Sequence, residues 1–209
     1  MKDFRQIYRN FIERRRYQRW AEATIRNYSK GIVSPRIIDV GCGSDKISNS
    51  KAVIGCDMFP VSDDIIKSAA DNLPFEDGSV DILVSAHCLE HMANPIKTIK
   101  EWCRNVGKEG VIWFILPNRA RTFDSLRPLT SKEHLFNDFN NDMPETDNSH
   151  WEDFRELVLL SGHRLIPPEY VLRAEANDFS YFSDKRLIHH HVWTLNTFTE
   201  LVKALGLEV

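Results

Sequence analysis

Asp39-Val40-Gly41-Cys42-Gly43 stands at the end of the apolar run Arg36 to Val40, and it is the first place where the sequence offers chemistry. Glycines behind a strand let a ligand approach the backbone closely. A dinucleotide site would need G-x-G-x-x-G opening a helix onto pyrophosphate. Here Gly43 is followed by Ser44-Asp45-Lys46-Ile47, with no third glycine and with an acid that would repel a diphosphate. A zwitterionic amino acid tail tolerates that acid, its ammonium using Asp39 and its carboxylate the loop amides and Lys46. Asp57 ends the next apolar run and is placed to accept from ribose hydroxyls, or else caps a strand-end turn. Asp71-Asn72-Leu73-Pro74-Phe75 puts a further acid ahead of an apolar wall, suited to an adenine amine with Leu73 over a ring face. Singly, each could be a surface turn; their order along the chain is the informative feature.

The elements that must position these residues are legible as apolar runs. Arg36 to Val40, Ala52 to Cys56, Val80 to Ser85 and Val111 to Leu116 read as buried strands, and a weaker strand is expected near Ile66 to Ala70. Asn94-Pro95 opens a helix in which Ile96, Ile99, Trp102, Cys103 and Val106 share a face. Alternation of strand and helix predicts a parallel α/β sheet with its ligand over the carboxyl ends of the strands. From Arg119 to about His150 the chain is polar and irregular, an insert too long for an ordinary connection. Trp151 to Leu160 reads as helical, and Asn196 to Leu205 as a final helix stopped by Gly206.

Composition bounds the rest. With 209 residues, 42% of them hydrophobic, the chain can bury one sizeable core, and it has no run of about 20 apolar residues to cross a bilayer. A cytoplasmic protein is expected. Cys42, Cys56, Cys88 and Cys103 lack a CxxC pair and read as small buried hydrophobes, not as a disulfide framework or zinc site. Residues 1–30 hold nine Lys/Arg against three acids, although the net charge is only −3. Phe4, Ile7, Tyr8, Phe11 and Ile12 recur at helical spacing, with Arg5, Arg9, Arg16 and Arg19 mostly off the stripe, so residues 1–30 are expected to form a basic amphipathic arm. It would cover the ligand site or sheet edge, or meet an anionic substrate, a membrane surface or nucleic acid.

Three motifs in sequence order, Asp39 to Gly43, Asp71 to Asp81, and Leu89-Glu90-His91 with Asn94-Pro95, resemble the class I S-adenosylmethionine-dependent methyltransferase family, in its type 11 branch. The resemblance covers roughly Pro35 to Asn118. It implies a Rossmann-like parallel sheet flanked by helices, over residues 31–209, carrying a substrate insert at about 119–193. It implies S-adenosyl-L-methionine as cofactor, with Asp39, Gly41, Cys42 and Gly43 at the methionine end and Asp57 with Met58 at the ribose. Asp71, Asn72 and Leu73 would meet the adenine, and Ser85 to His87 the sulfonium. Asp45 replaces the family's third glycine, and the short span from Asp39 to Asp57 implies a stunted first helix. Gly206 to Val209 stands where a family member begins a further strand, so the chain is trimmed or the sheet incomplete. The DNSHWEDF and IHHHVWT segments are more faintly similar to methyltransferases of polysaccharide biosynthesis, which makes a sugar or sugar-linked acceptor the leading expectation.

Methyl transfer from a sulfonium is an in-line displacement, so positioning in a dry pocket supplies much of the rate and no covalent residue is needed. A hydroxyl acceptor would gain from a general base, for which histidine suits neutral pH. Candidates are His91, His189 and His191. An extended backbone would put His189, His191 and Trp193 on one face, and base, positioning and core roles all stay open for them. His189 and His191 could also join His134, Asp147 or His150 around a metal, but no spacing compels it and none is assigned. Trp151, Trp193, Tyr170 and Tyr181 could stack on a sugar. Ser-Ala-His-Cys after the third clear strand is not the Asn/Asp-Pro-Pro-Tyr of enzymes that methylate base amines, so a small-molecule or glycan acceptor is expected before nucleic acid or protein. Asp45 leaves room for a non-catalytic binding module as well. No oligomeric state is implied.

Overall fold

The computed structural model describes residues 17–44, 46–48 and 50–209. The stretch Met1–Arg16, with most of the basic stripe, and Asp45 lie outside the described residues. The described chain forms two units, one of residues up to Ala86 together with Ile99–Ile115, the other of His87–Thr98 together with Leu116–Val209.

The first unit is a five-stranded, all-parallel sheet of β1 (Ile37–Val40), β2 (Val53–Asp57), β3 (Ile65–Lys67), β4 (Val80–Ala86) and β5 (Val106–Ile115), in the order β3-β2-β1-β4-β5. The order reverses between β1 and β4, the switch point where open α/β sheets hold their ligands. β1 and the inner part of β4 are buried on both faces, and apolar there except at Asp39, because both faces are covered. On one side Ile37, Val53, Ile82 and Val84 meet Ala21 and Ile25 of α1 (17–28). Ile38, Val40 and Leu83 point the other way, the side on which Trp102 of α2 (Pro95–Asn105) packs on Phe114 at 5.5 Å. Trp102 is fully buried and its Nε1 donates to the Ala70 carbonyl at 2.8 Å, the kind of residue whose truncation to Ala costs about 3–5 kcal/mol.

β5 begins five residues before the expected Val111, because a register shift opposite Val80 to Ile82 lets Val106 to Gly110 continue the pairing across two glycines. Between β1 and β2 the described residues form turns and no helix, so the helix expected to be stunted is absent there.

The second unit is helical: α3 (Lys132–Asn140), α4 (Trp151–Phe154) running into a π turn at Arg155–Leu159, α5 (Pro168–Glu175), α6 (Phe179–Asp184) and α7 (Leu195–Ala204). Trp151, Phe154, Val158, Leu159, Phe182 and Ile188 form its core. The insert is thus more regular than its polar composition suggests. Ser131 caps α3 by accepting from His134 N at 3.1 Å, and Pro168 occupies the first position of α5, where its missing N–H costs nothing. α7 carries a Thr194/Thr197 capping box and stops before Gly206 at φ +78°. No described helix is long and apolar enough to cross a membrane.

Candidate functional site

In the first unit the loop after β1 borders a cleft of about 250 Å³ lined by Tyr17, Gln18, Asp39, Gly41 to Ser44, Ile47 and Ala86. It lies over the carboxyl ends of β1 and β4, and α1 forms part of its wall. Gly41 and Gly43 have φ of +72° and +61°, backbone that other residues rarely adopt. The size is just under the roughly 300 Å³ at the lower end of small-molecule sites and suits one end of a nucleoside ligand.

The loop amides depart from expectation. Gly41 N and Cys42 N both donate to the Cys56 carbonyl, at 2.9 and 3.3 Å, and Gly43 N donates to Asp57 Oδ2 at 2.8 Å. All three are therefore engaged within the protein and are not free for a ligand carboxylate. Lys46 is also turned away, its Nζ 3.0 Å from Asp64 and its stem packed where a Cβ on Gly55 would fall. What the site offers is acceptors. Asp39 is buried at the end of β1, with Oδ2 accepting from Ile47 N at 2.5 Å. Asp57 accepts through Oδ1 from Phe59 N at 2.8 Å and keeps further lone pairs beyond its two amide bonds. Burial first, then the charges of Asp39 and Asp57, pushes the Cys42 and Cys56 thiols up to about 12. A field of this sign favours ammonium, sulfonium and hydroxyl donors and disfavours diphosphate.

The remaining expected cofactor residues divide. Met58 is half-buried beside Asp57, and Asp71 and Asn72 sit in a tight turn closed by a bridge between Ala69 and Asn72. Arg104 fastens the segment that follows to α2 by donating to the carbonyls of Leu73 and Phe75, to Asp77 at 2.6 Å and to Glu101 at 2.7 Å. Leu73 itself is buried, with its amide on Glu101 at 2.8 Å, so it supports the turn and does not present a face to a ring. Ser85 is also buried, with Oγ donating to the Val40 carbonyl at 3.0 Å, a strand-to-strand bond in place of the expected sulfonium contact.

The second unit begins at His87, an L-residue held at φ +56°, with Nδ1 3.2 Å from Glu90 Oε1. Left-handed backbone at a bulky residue stores strain of order 1–3 kcal/mol and concentrates at functional sites. Glu90 is fully buried; burial would raise it, but the His87 hydrogen bond and the fields of His91 and His189 hold it below the usual carboxylate range.

The histidine run does not alternate as a strand. Only Trp193 pairs, in one bridge with Asn118, while Arg127 donates to the carbonyls of His189 at 2.7 Å and His190 at 3.4 Å. Without a ladder, the side chains go where the surrounding clusters take them. His189 Nδ1 lies 2.8 Å from Asp124 Oδ2, with its ring against Phe123 and edge-on to His91. Burial would raise Asp124, yet His189 and Arg127 hold it below its ordinary value. His191 is fully enclosed among His134, His150 and Trp193, with Nε2 3.2 Å from the Ala93 carbonyl, so the two histidines do not share a face as expected. His91 Nδ1 meets the Ile188 carbonyl at 3.1 Å, and burial, then His189, pushes it down to about 4, which makes it a weak base at neutral pH.

The aromatics proposed for sugar stacking are otherwise occupied. Trp151 and Trp193 are core residues, and Tyr181 carries Arg173 and Lys185 over its ring at 4.1 and 4.0 Å and packs on Tyr170. Sequence reasoning missed Asp124, Arg127 and Asp138. Asp138 had one signal, its H-x-x-x-D spacing from His134 on a helix.

The family profile described as a methyltransferase domain matches residues 11–209. No curated protein matches the chain. Among solved structures, a methyltransferase of Haloferax volcanii in complex with the Trm112 methyltransferase activator is 21% identical over 47% of this chain and 58% of its own, with a TM-score of 0.32. This chain thus spans little more than half of that relative. An S-adenosyl-L-methionine-dependent methyltransferase from Methanococcus maripaludis is 16% identical over 81% and 75% of the two chains, with a TM-score of 0.38. One from Thermotoga maritima is 14% identical over 99% and 79%, with a TM-score of 0.43.

Proposed function

We propose, on the premise that the chain belongs to the methyltransferase domain family and is an S-adenosylmethionine-dependent enzyme of class I, that it methylates a hydroxyl of a small-molecule or glycan acceptor, a sugar-linked group included. The observation that carries the hydroxyl reading is the Asp124–His189 pair at 2.8 Å. A carboxylate that accepts from Nδ1–H fixes the imidazole in the tautomer whose Nε2 is a proton acceptor. Such a base is worth about 10²–10⁴ in rate when a hydroxyl must lose its proton. An amine acceptor has less need of one.

The residues present fit the cofactor because the carboxylates of Asp39 and Asp57 are acceptors, which match its ammonium and its ribose hydroxyls. Asp39 would take the ammonium, Asp57 the ribose hydroxyls, and the turn at Asp71 and Asn72 the adenine amine. When bound, S-adenosylmethionine supplies a methyl carbon made electrophilic by its sulfonium. His189 would accept at Nε2 the proton that an acceptor hydroxyl gives up. Asp124 would stabilise the imidazolium, and His189 first and then Arg127 hold Asp124 ionised.

The test is methyl transfer from labelled S-adenosylmethionine to a panel of nucleotide sugars, glycans and hydroxylated small molecules, with proteins and nucleic acids alongside. Label on an acceptor hydroxyl, lowered at least about 100-fold in His189→Ala, supports the reading. Transfer to amines alone, or a His189→Ala enzyme of unchanged kcat, would sink it.

A further inference from the structure

Apart from the Asp124–His189 pair, the second unit gathers four more ligand-type side chains from three parts of the chain. His134 and Asp138 lie one turn apart on one face of α3, His150 immediately precedes α4, and His191 belongs to the histidine run. His134 Nε2 is 3.1 Å from His150 Nε2 and 3.2 Å from Asp138 Oδ2, which is 3.7 Å from His191 Nε2. One donor atom from each of the four lies within 4.8 Å of the other three. Ligand atoms held about 2.0–2.1 Å from a tetrahedral zinc ion stand about 3.3–3.4 Å apart, which the three short separations bracket.

Hydrogen bonding does not close this group. Two imidazole Nε2 atoms face each other and can share only one proton. Asp138 Oδ2 and His191 Nδ1 are buried with no well-formed hydrogen bond, in residues 2% and 0% exposed. A cation at the centre would serve the two facing Nε2 atoms and Asp138 Oδ2 together.

We propose that His134, Asp138, His150 and His191 form a binding site for a divalent transition-metal ion, with zinc the best fit. Three nitrogens and one oxygen suit zinc and its neighbours, whereas calcium and magnesium require mostly oxygen. All four positions are filled by protein, which is the pattern of a structural site and not of one that activates water. Such an ion ties α3, the turn before α4 and the histidine run together. His191 binds in the tautomer that moves its proton to Nδ1 and gives up the Ala93 carbonyl. His134, with 41% of its side chain exposed, provides the route of entry. A rival set, Asp147 with His150 and His190, shares His150 and offers only three donors.

The inference is independent of the acceptor and is tested without activity. Untagged protein is stripped with a chelator, checked for folding by circular dichroism, and titrated with Zn²⁺ and Co²⁺. The expected result is about one equivalent bound, the intense visible absorption of tetrahedral Co²⁺, and a higher melting temperature. Asp138→Asn and His150→Ala should weaken binding at least about 100-fold, and Asp147→Asn should leave it intact. Folded wild-type protein that takes up neither ion, or gives the weak spectrum of six-coordinate Co²⁺, overturns the site. So does loss of binding in Asp147→Asn with retention in Asp138→Asn. If the variants do not fold, the wild-type titration and spectrum decide alone.

Discussion

Replacing Asp57 by Ala separates ligand recognition from loop anchoring, because both tasks fall on one carboxylate. Its two oxygens accept from Gly43 N and Phe59 N at 2.8 Å each. Both bonds are at the surface, so water replaces the lost acceptor and each contributes at most about 1 kcal/mol to folding. The ribose would add two hydroxyl donors to the same charged group, and hydrogen bonds to a charge contribute about 1.5–3 kcal/mol each. Taking the lower figure for both gives about 3 kcal/mol, a rise in Kd of roughly 150-fold. Calorimetric titration with S-adenosylhomocysteine measures this without turnover, and thermal unfolding measures the folding cost. A 2′-deoxy analogue completes a double-mutant cycle: it should bind wild type weakly and gain little further weakening in Asp57→Ala. A folded variant whose Kd stays within about threefold of wild type, or additive effects in the cycle, would refute the assignment of Asp57 to the ribose.

Asp124→Asn should lower kcat for hydroxyl acceptors by about 10²-fold or more with a smaller change in KM, since the amide leaves His189 without its orienting charge; equal effects of Asp124→Asn on S-adenosylhomocysteine affinity would point to a purely structural role. His91 is neutral in the folded protein, near 4, and titrates near its ordinary value of about 6.5 when unfolded, so it costs nothing above that pH. Stability should fall as pH drops from 6.5 toward 4 by about 1.4 kcal/mol per pH unit, about 2 kcal/mol at pH 5, and urea unfolding at pH 7 and 5 should show a smaller difference for His91→Gln. Gly110→Ala would place a Cβ 2.5 Å from Val106 Cγ1 and 2.8 Å from the Asp81 carbonyl, so β5 must shift; a loss of about 1–3 kcal/mol is expected, and an unchanged melting temperature would contradict the packing there.

The parts of the fold that the sequence makes plain are those whose reasons are local. Ile37, Ile38 and Val40, and Ile82, Leu83 and Val84, are apolar on consecutive or near-consecutive positions because both faces of a central parallel strand are covered, and Asp39 and Asp57 fall into the site because they stand at the carboxyl ends of β1 and β2. β3 is only three residues, with Ile65 alone buried, and its signal is correspondingly weak. α3 escaped notice because its buried face carries Asp138 beside Leu135, and a carboxylate inside a helix face breaks the apolar period. Asp138 is buried by partners 53 residues away, which no local window contains. The histidine run misled for a related reason: alternation holds only where a ladder enforces the pleat, and a single bridge at Trp193 does not. The loop amides depart from expectation because the β1–β2 ladder runs on into Gly41 and Cys42, whose N–H groups meet the Cys56 carbonyl, while the Asp57 carboxylate takes that of Gly43.

The pairing of Glu90, His91 and Ala93 with residues 188–191 also has a temporal side. His190 N donates to the Glu90 carbonyl at 2.8 Å, and Ala93 and Ile188 exchange bonds with His191 and His91, across about a hundred residues of chain. A ribosome releases residues 87–98 well before those partners exist, so the short segment behind β4 spends that interval hydrated, with Glu90 charged and in water. Long-range contacts of this kind close late and set the pace of folding. Enclosure of Glu90 should therefore be among the last events in maturation of the chain, and protection of its neighbouring amides from hydrogen exchange should lag behind that of β1 and β4.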